Sequence, residues 1–174
     1  MTDTIDNHEA TRALLKKMQQ KGISGSHDER AGITCCVESV LIGPDGAVKD
    51  VRVKHNMIVN GGFDFLADAA FKSASRPAVM SHIAVGSASD ATSSAGIALQ
   101  TEITRKALTY SHTAGTKTFT AEVTFNPGEA TGEITEAGIF NSSSVGTMLD
   151  RVVFAVINKG AADTLTQRFT FTMS

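Results

Sequence analysis

An all-β fold, an antiparallel β-sandwich with one packed helix and an N-terminal helical arm, is predicted for this chain by three observations. Strand-length apolar or alternating segments recur with turn signals every 8–12 residues through the C-terminal two thirds. Thr, Val, Ile and Phe, which suit half-buried strands, fill those segments. Helical periodicity is confined to two places, residues 6–21 and a stretch near 61–71. The chain has 174 residues, 41% apolar and 20% charged, enough for one packed domain and too apolar for disorder.

Residues 6–21, "DNHEATRALLKKMQQK", open on Asp6 with Glu9 three positions on, the pattern of a capping box. Ala10, Leu14, Leu15 and Met18 form one stripe, with Arg12, Lys16 and Lys17 outside it. Gly22 supplies a C-terminal cap, and "GISGSHDERAG" reads as a linker. The expected division is therefore an arm and linker over 1–31 and a sandwich over 32–174. An isolated helix this short is marginal, so the stripe is expected to dock on its own domain or on another subunit.

Residues 32–55 read as a hairpin about the turn "GPDG". In "NMIVNGGFDFLADAAF" the period changes to helical, with Phe63, Leu66, Ala67 and Ala70 as its apolar face. "SHIAVGSAS" is a buried strand, and "SDATSSAG" a loop. In "TKTFTAEVTF", Phe119, Ala121, Val123 and Phe125 alternate with polar residues, predicting one buried and one wet face. "NPGEATG" turns the chain into "EITEAGIF". "TMLDRVVFAVIN" is apolar on both sides, as a central strand would be. Leu165, Phe169, Phe171 and Met173 then alternate with Thr and Arg in the last strand. Seven or eight strands result.

Chemistry is hard to find. His8, His27, His55, His82 and His112 are not at metal-ligand spacing, and there is no HExxH, no G-x-S-x-G and no phosphate-binding loop. "NGG" at 60–62 lacks the Lys-Ser/Thr that such a loop needs. Glu133, Glu136 and Asp150 read as charges at strand edges that keep a sheet soluble. Arg105, Lys106 and Arg151 read as solvated edges or as partners of Glu102 or Glu136 across an interface. Glycines are expected at turns, and Asn158 and Asp163 are expected to hold one. Cys35 and Cys36 are adjacent on a strand and so point to opposite faces. They are read either as two inert thiols or as a source of intersubunit cross-links. The expectation is no enzyme activity, no cofactor and no metal. A net charge of −2 provides no basic field for nucleic acid, and no apolar run is long enough to span a membrane as a helix. The polar N-terminus predicts neither a signal nor a transit peptide, hence synthesis and assembly in a cytoplasm.

Four segments carry a resemblance: "NMIVNGGFDFLADAA", "MSHIAVGSASDATSSAGIALQTEITRKAL", "FTAEVTFNPGEATGEITEAGIFN" and "GTMLDRVVFAVINKGAADTLTQRFTFT". With their E-A-G-I-F and I-N-K-x-x-x-D-x-L patterns they resemble virion structural proteins of tailed bacteriophages. The likeness spans about residues 32–174. Val156 stands where that family often has Pro. The resemblance implies a sandwich without catalytic residues that serves in the virion, assembled in the host bacterial cytoplasm. A place at the tail or the head–tail neck or collar, anchoring or forming fibres, is the first expectation. The alternatives are a capsid decoration protein and a receptor- or carbohydrate-binding module of a tail fibre. The small-residue loops 87–97 and 141–146 speak against sugar stacking. The expected partners are other virion proteins and further copies of the chain, a trimer ahead of other states.

Overall fold

The computed structural model describes residues 32–174. The predicted helix at 6–21, its stripe of Ala10, Leu14, Leu15 and Met18, and the linker 22–31 lie outside the described residues. The described chain runs β1 (Ile33–Ile42), β2 (Val48–His55), β3 (Met57–Ile58), α1 (Asn60–Phe71), β4 (His82–Gly86), β5 (Glu102–Ala107), β6 (Thr109–His112), β7 (Thr118–Phe125), β8 (Gly132–Phe140), β9 (Met148–Lys159) and β10 (Thr164–Met173). The strands make two five-stranded sheets, ordered β2-β1-β10-β7-β6 and β3-β9-β8-β4-β5. Every pairing is antiparallel.

The inner faces of both sheets feed one apolar cluster. Val37, Phe125 and Phe169 come from the first sheet, and Ile83, Ile139 and Val152 from the second. Alternation decides which side chains enter: Ala121, Val123 and Phe125 of β7 are buried while Thr120, Glu122 and Thr124 are less so. β1 and β10 run side by side, Ile33 opposite Met173 and Ile42 opposite Thr164. One polar pair interrupts the inner face: Ser39 donates from Oγ to Gln167 Oε1 at 2.6 Å. The β1–β2 turn uses Gly46 at φ +79°, and the Ala47 N–H donates to Asp45 Oδ1 at 3.1 Å.

Several expectations need correction. There are ten described strands, because β5 and β6 were not recognised as edge strands and β3 is only two residues long. β5 reads "EITRKA" and β6 "TYSH"; edge strands need no apolar row, so neither advertises itself. β9 is not central: beyond β8 it meets only β3, at Met57 opposite Arg151 and Ile58 opposite Asp150. Its double-sided burial has another source. The segment 87–101 lies over the outer face of its sheet, where Leu99 joins Ala84, Phe140, Met148 and Val59 in a second apolar cluster.

The helix matches its predicted span, but its packed face differs. Phe65 and Leu66 pack on the core, whereas Phe63 is 56% and Phe71 90% exposed. Gly62 sets the orientation. A Cβ there would stand 2.0 Å from the Leu149 carbonyl oxygen, so the helix backbone rests directly on β9 at that point. Gly86 is a second close approach, 2.4 Å from the Thr101 oxygen and 2.5 Å from Glu136 Oε1 if given a Cβ. These glycines sit inside a helix and a strand and serve proximity, not the turn conformation expected of them.

Candidate functional site

A cleft of about 410 Å³ opens at the end of the sandwich where β1, β3 and α1 meet. Ile33, Cys35, His55, Asn56, Met57 and Phe63 line it. Behind it lies Asp150 of β9, with no exposed surface. Its carboxylate accepts the Asn56 amide at 2.5 Å and the Ile139 N–H at 3.1 Å. Burial pushes its pKa up to about 7, against the pull of those two hydrogen bonds. Both oxygens are engaged by the fold itself.

The two cysteines are both free. Cys35 is buried on the inner face, and its Sγ donates weakly to the Cys36 carbonyl at 3.9 Å. Burial, then the nearby Asp150 and Cys36, push its thiol far above the ordinary range. Cys36 is half-buried on the opposite face, and burial followed by Glu38 raises its thiol too. A thiol kept protonated is a poor nucleophile. Native protein should therefore leave Cys35 unlabelled by a thiol reagent at neutral pH and label Cys36 more slowly than a free cysteine. Denaturant should then expose both. Fast labelling of Cys35 in the folded state would contradict its burial.

The strongest charge constellation lies on the outer face of the second sheet. Glu136 of β8 and Arg151 of β9 are 0% and 2% exposed at the side chain and pair at 2.8 Å. Glu136 also accepts backbone N–H groups from Gln100 at 3.2 Å and Thr101 at 2.8 Å. Arg151 Nη1 donates to the Ala91 carbonyl at 3.4 Å, and the Thr135 hydroxyl donates to the Ala88 carbonyl at 2.8 Å. Thr135 and Glu136 of β8 and Arg151 of β9 thus hold the 87–101 segment down at both its ends. Glu136 and Asp150 are not the strand-edge charges expected from the sequence. Each stands in an otherwise apolar run, and that placement was the signal for burial.

The remaining expected charge sites are also internal. Arg105 donates to both oxygens of Glu102, to the carbonyls of Ser142 and Val145 at 3.0 and 2.9 Å, and stacks 3.9 Å over the Phe140 ring. It fixes the 141–146 loop. Lys106 reaches Glu129 at 2.6 Å and the Thr124 carbonyl at 3.0 Å, joining β5 to the other sheet. None of Arg105, Lys106 and Arg151 needs an interface for its partner. Asp163 holds the β9–β10 turn as expected: its Oδ2 accepts the Gly160 N–H at 2.9 Å and Lys49 Nζ at 2.8 Å. The Lys49 hydrogen bond leads in keeping that carboxyl below its ordinary range. Asn158 is exposed, and the turn depends on Asp163 instead.

His82 Nδ1 bonds Ser81 at 2.8 Å, and His112 Nε2 bonds the Thr116 carbonyl at 3.1 Å. His8 and His27 lie outside the described residues. Among the described residues no three His, Cys, Asp or Glu side chains come together as a metal site, and no helix is long and apolar enough to cross a membrane. The cleft lining sets apolar Ile33, Met57, Ile58 and Phe63 beside Thr34, His55 and Asn56. Ile33 and Met173 stand opposite each other on β1 and β10, and Met57, Phe63 and Phe71 continue outward along β3 and α1. Of the helix face expected from the sequence, Leu66 packs on the core, whereas Phe63, Ala67 and Ala70 are exposed. No family model, no curated protein and no solved structure matches the chain.

Proposed function

We propose that the chain is a non-enzymatic structural component of a tailed-bacteriophage particle, placed at the tail or the head–tail neck or collar, where it anchors or forms fibres. The observation that supports it best is how the charges are used. Glu136, Arg151, Arg105, Lys106 and Asp163 all fasten loops and sheets of their own chain. A fold clamped this way presents fixed surfaces to neighbours, which is what a particle subunit supplies. The described surface complements that: it exposes large apolar residues, Met57, Phe63 and Phe71 on β3 and α1 and also Ile97 and Val145 in the loops 87–101 and 141–146. In this reading the sandwich is the body, residues 6–21 are a docking arm, and the chain works as a homo-oligomer, a trimer ahead of other states, among other virion proteins.

A capsid decoration protein is the second reading, since it would use the same clamped body. Mass spectrometry of gradient-purified particles should find the chain at a fixed copy number. Antibody labelling of those particles should mark the tail or neck; label spread over the head would favour decoration instead. Its absence from the particle fraction would remove both readings.

A further inference from the structure

We propose that the apolar end of the described domain, Ile33, Met57, Phe63, Phe71 and Met173, is the docking site for residues 6–21 of a second copy of this chain. It rests on the homo-oligomer part of the proposed function and names its contact. Three observations carry it. The first is the orientation of α1. Gly62 against Leu149 commits Phe65 and Leu66 to the core, leaving Phe63, Ala67, Ala70 and Phe71 as an outward stripe at helical spacing. With Phe71 90% and Phe63 56% exposed, that stripe is the second apolar face of a helix whose first face is already used. It is continuous with the open cleft through Phe63.

The second observation is charge. On α1, Asp64 is exposed beside Phe63 and carries no ion pair among the described residues, while Asp68 is held by Lys72 at 2.8 Å. Residues 12–21 contain Arg12, Lys16, Lys17 and Lys21 and no acidic residue, beside the apolar Leu14, Leu15 and Met18. Apolar stripe meets apolar stripe, and Asp64 is left to face a basic residue of the arm. The third is reach. Residues 22–31 span roughly 33 Å when extended, at about 3.3 Å per residue. That is far more chain than a turn back onto a surface beginning at Ile33 requires, and enough to reach an adjoining copy.

The test uses the full chain. Sedimentation velocity should show an oligomer for the unaltered protein. Phe63→Asp with Phe71→Asp blocks the surface; Leu14→Asp with Leu15→Asp blocks the arm. All four positions lie off the buried core or outside the described domain, and circular dichroism should be unchanged in strand content. Each pair should raise the dissociation constant about 30-fold or more. Mixing the two variants in equal amounts should restore a mixed oligomer, because each supplies what the other lacks. A monomeric unaltered chain, a surface variant that assembles normally, or a mixture that stays monomeric would overturn the proposal. None of these outcomes bears on whether the chain is found in particles, so the two proposals fail separately.

Discussion

Replacing Arg151 with Leu should destabilise the two-sheet domain by about 3–5 kcal/mol, read as a shift of the denaturation midpoint at unchanged slope. The substitution strands the Glu136 carboxylate at a position with no exposed surface. The Ala88, Gln100 and Thr101 amides still donate to it, but three neutral donors, one of them at 3.4 Å, do not replace a guanidinium at 2.8 Å. Adding Glu136→Gln to that variant should recover more than about 1 kcal/mol, since the uncompensated charge is gone while an oxygen remains for Thr101. The loss should first appear as local opening of the 87–101 segment, visible as faster amide exchange at Thr101. If Arg151→Leu costs under about 1 kcal/mol, the pair is not holding the segment.

The second large effect is a pH dependence carried by Asp150. Its folded pKa, about 7, lies above the ordinary aspartate value of 3.8. The folded state therefore binds the extra proton, and stability is lost as pH rises. The full contribution is present below the ordinary value and disappears as pH climbs through about 7. Between about pH 5 and about pH 8.5 the unaltered chain should lose about 2–3 kcal/mol relative to Asp150→Asn. The variant can keep the network: the Asn56 Oδ1 is buried without a partner and can accept the new amide after the Asn56 side chain turns over. The Cys35 thiol beside it stays protonated over this range and does not blur the comparison. Parallel stability curves for the two proteins would contradict the assignment.

Much of the architecture was readable because alternation is strict where one face is buried. β7 and β10 show it, and so does the hairpin of β1 and β2 with its Pro-Asp-Gly turn. α1 was found by its period. Its packed side was misread, because the decisive residue is Gly62, whose importance lies in the absence of a side chain and leaves no hydrophobic mark. The edge strands β5 and β6 were missed for a related reason, since strands with little to bury carry no pattern. β9 is covered on both faces only over Met148–Val152, where the cover is a loop, and Ala155 and Val156 in its middle are exposed. The charged constellations were misread most. A lone Glu in "EAGIF" and Arg151 inside an apolar strand look like edge charges until the 87–101 segment is folded over them, and Asp150 looks like one until Asn56 is packed against it. Glu136 and Arg151 are 15 residues apart, Arg151 and Ala91 60, and Asp150 and Asn56 94.

The most direct test of the proposed particle role is an image reconstruction of intact particles purified from the source of the chain. A domain of two five-stranded antiparallel sheets with one short helix should occupy symmetry-related positions at the tail or neck. The end bearing Phe63 and Phe71 should be covered by a neighbouring copy. A complete map in which every density belongs to other chains would contradict the proposed function.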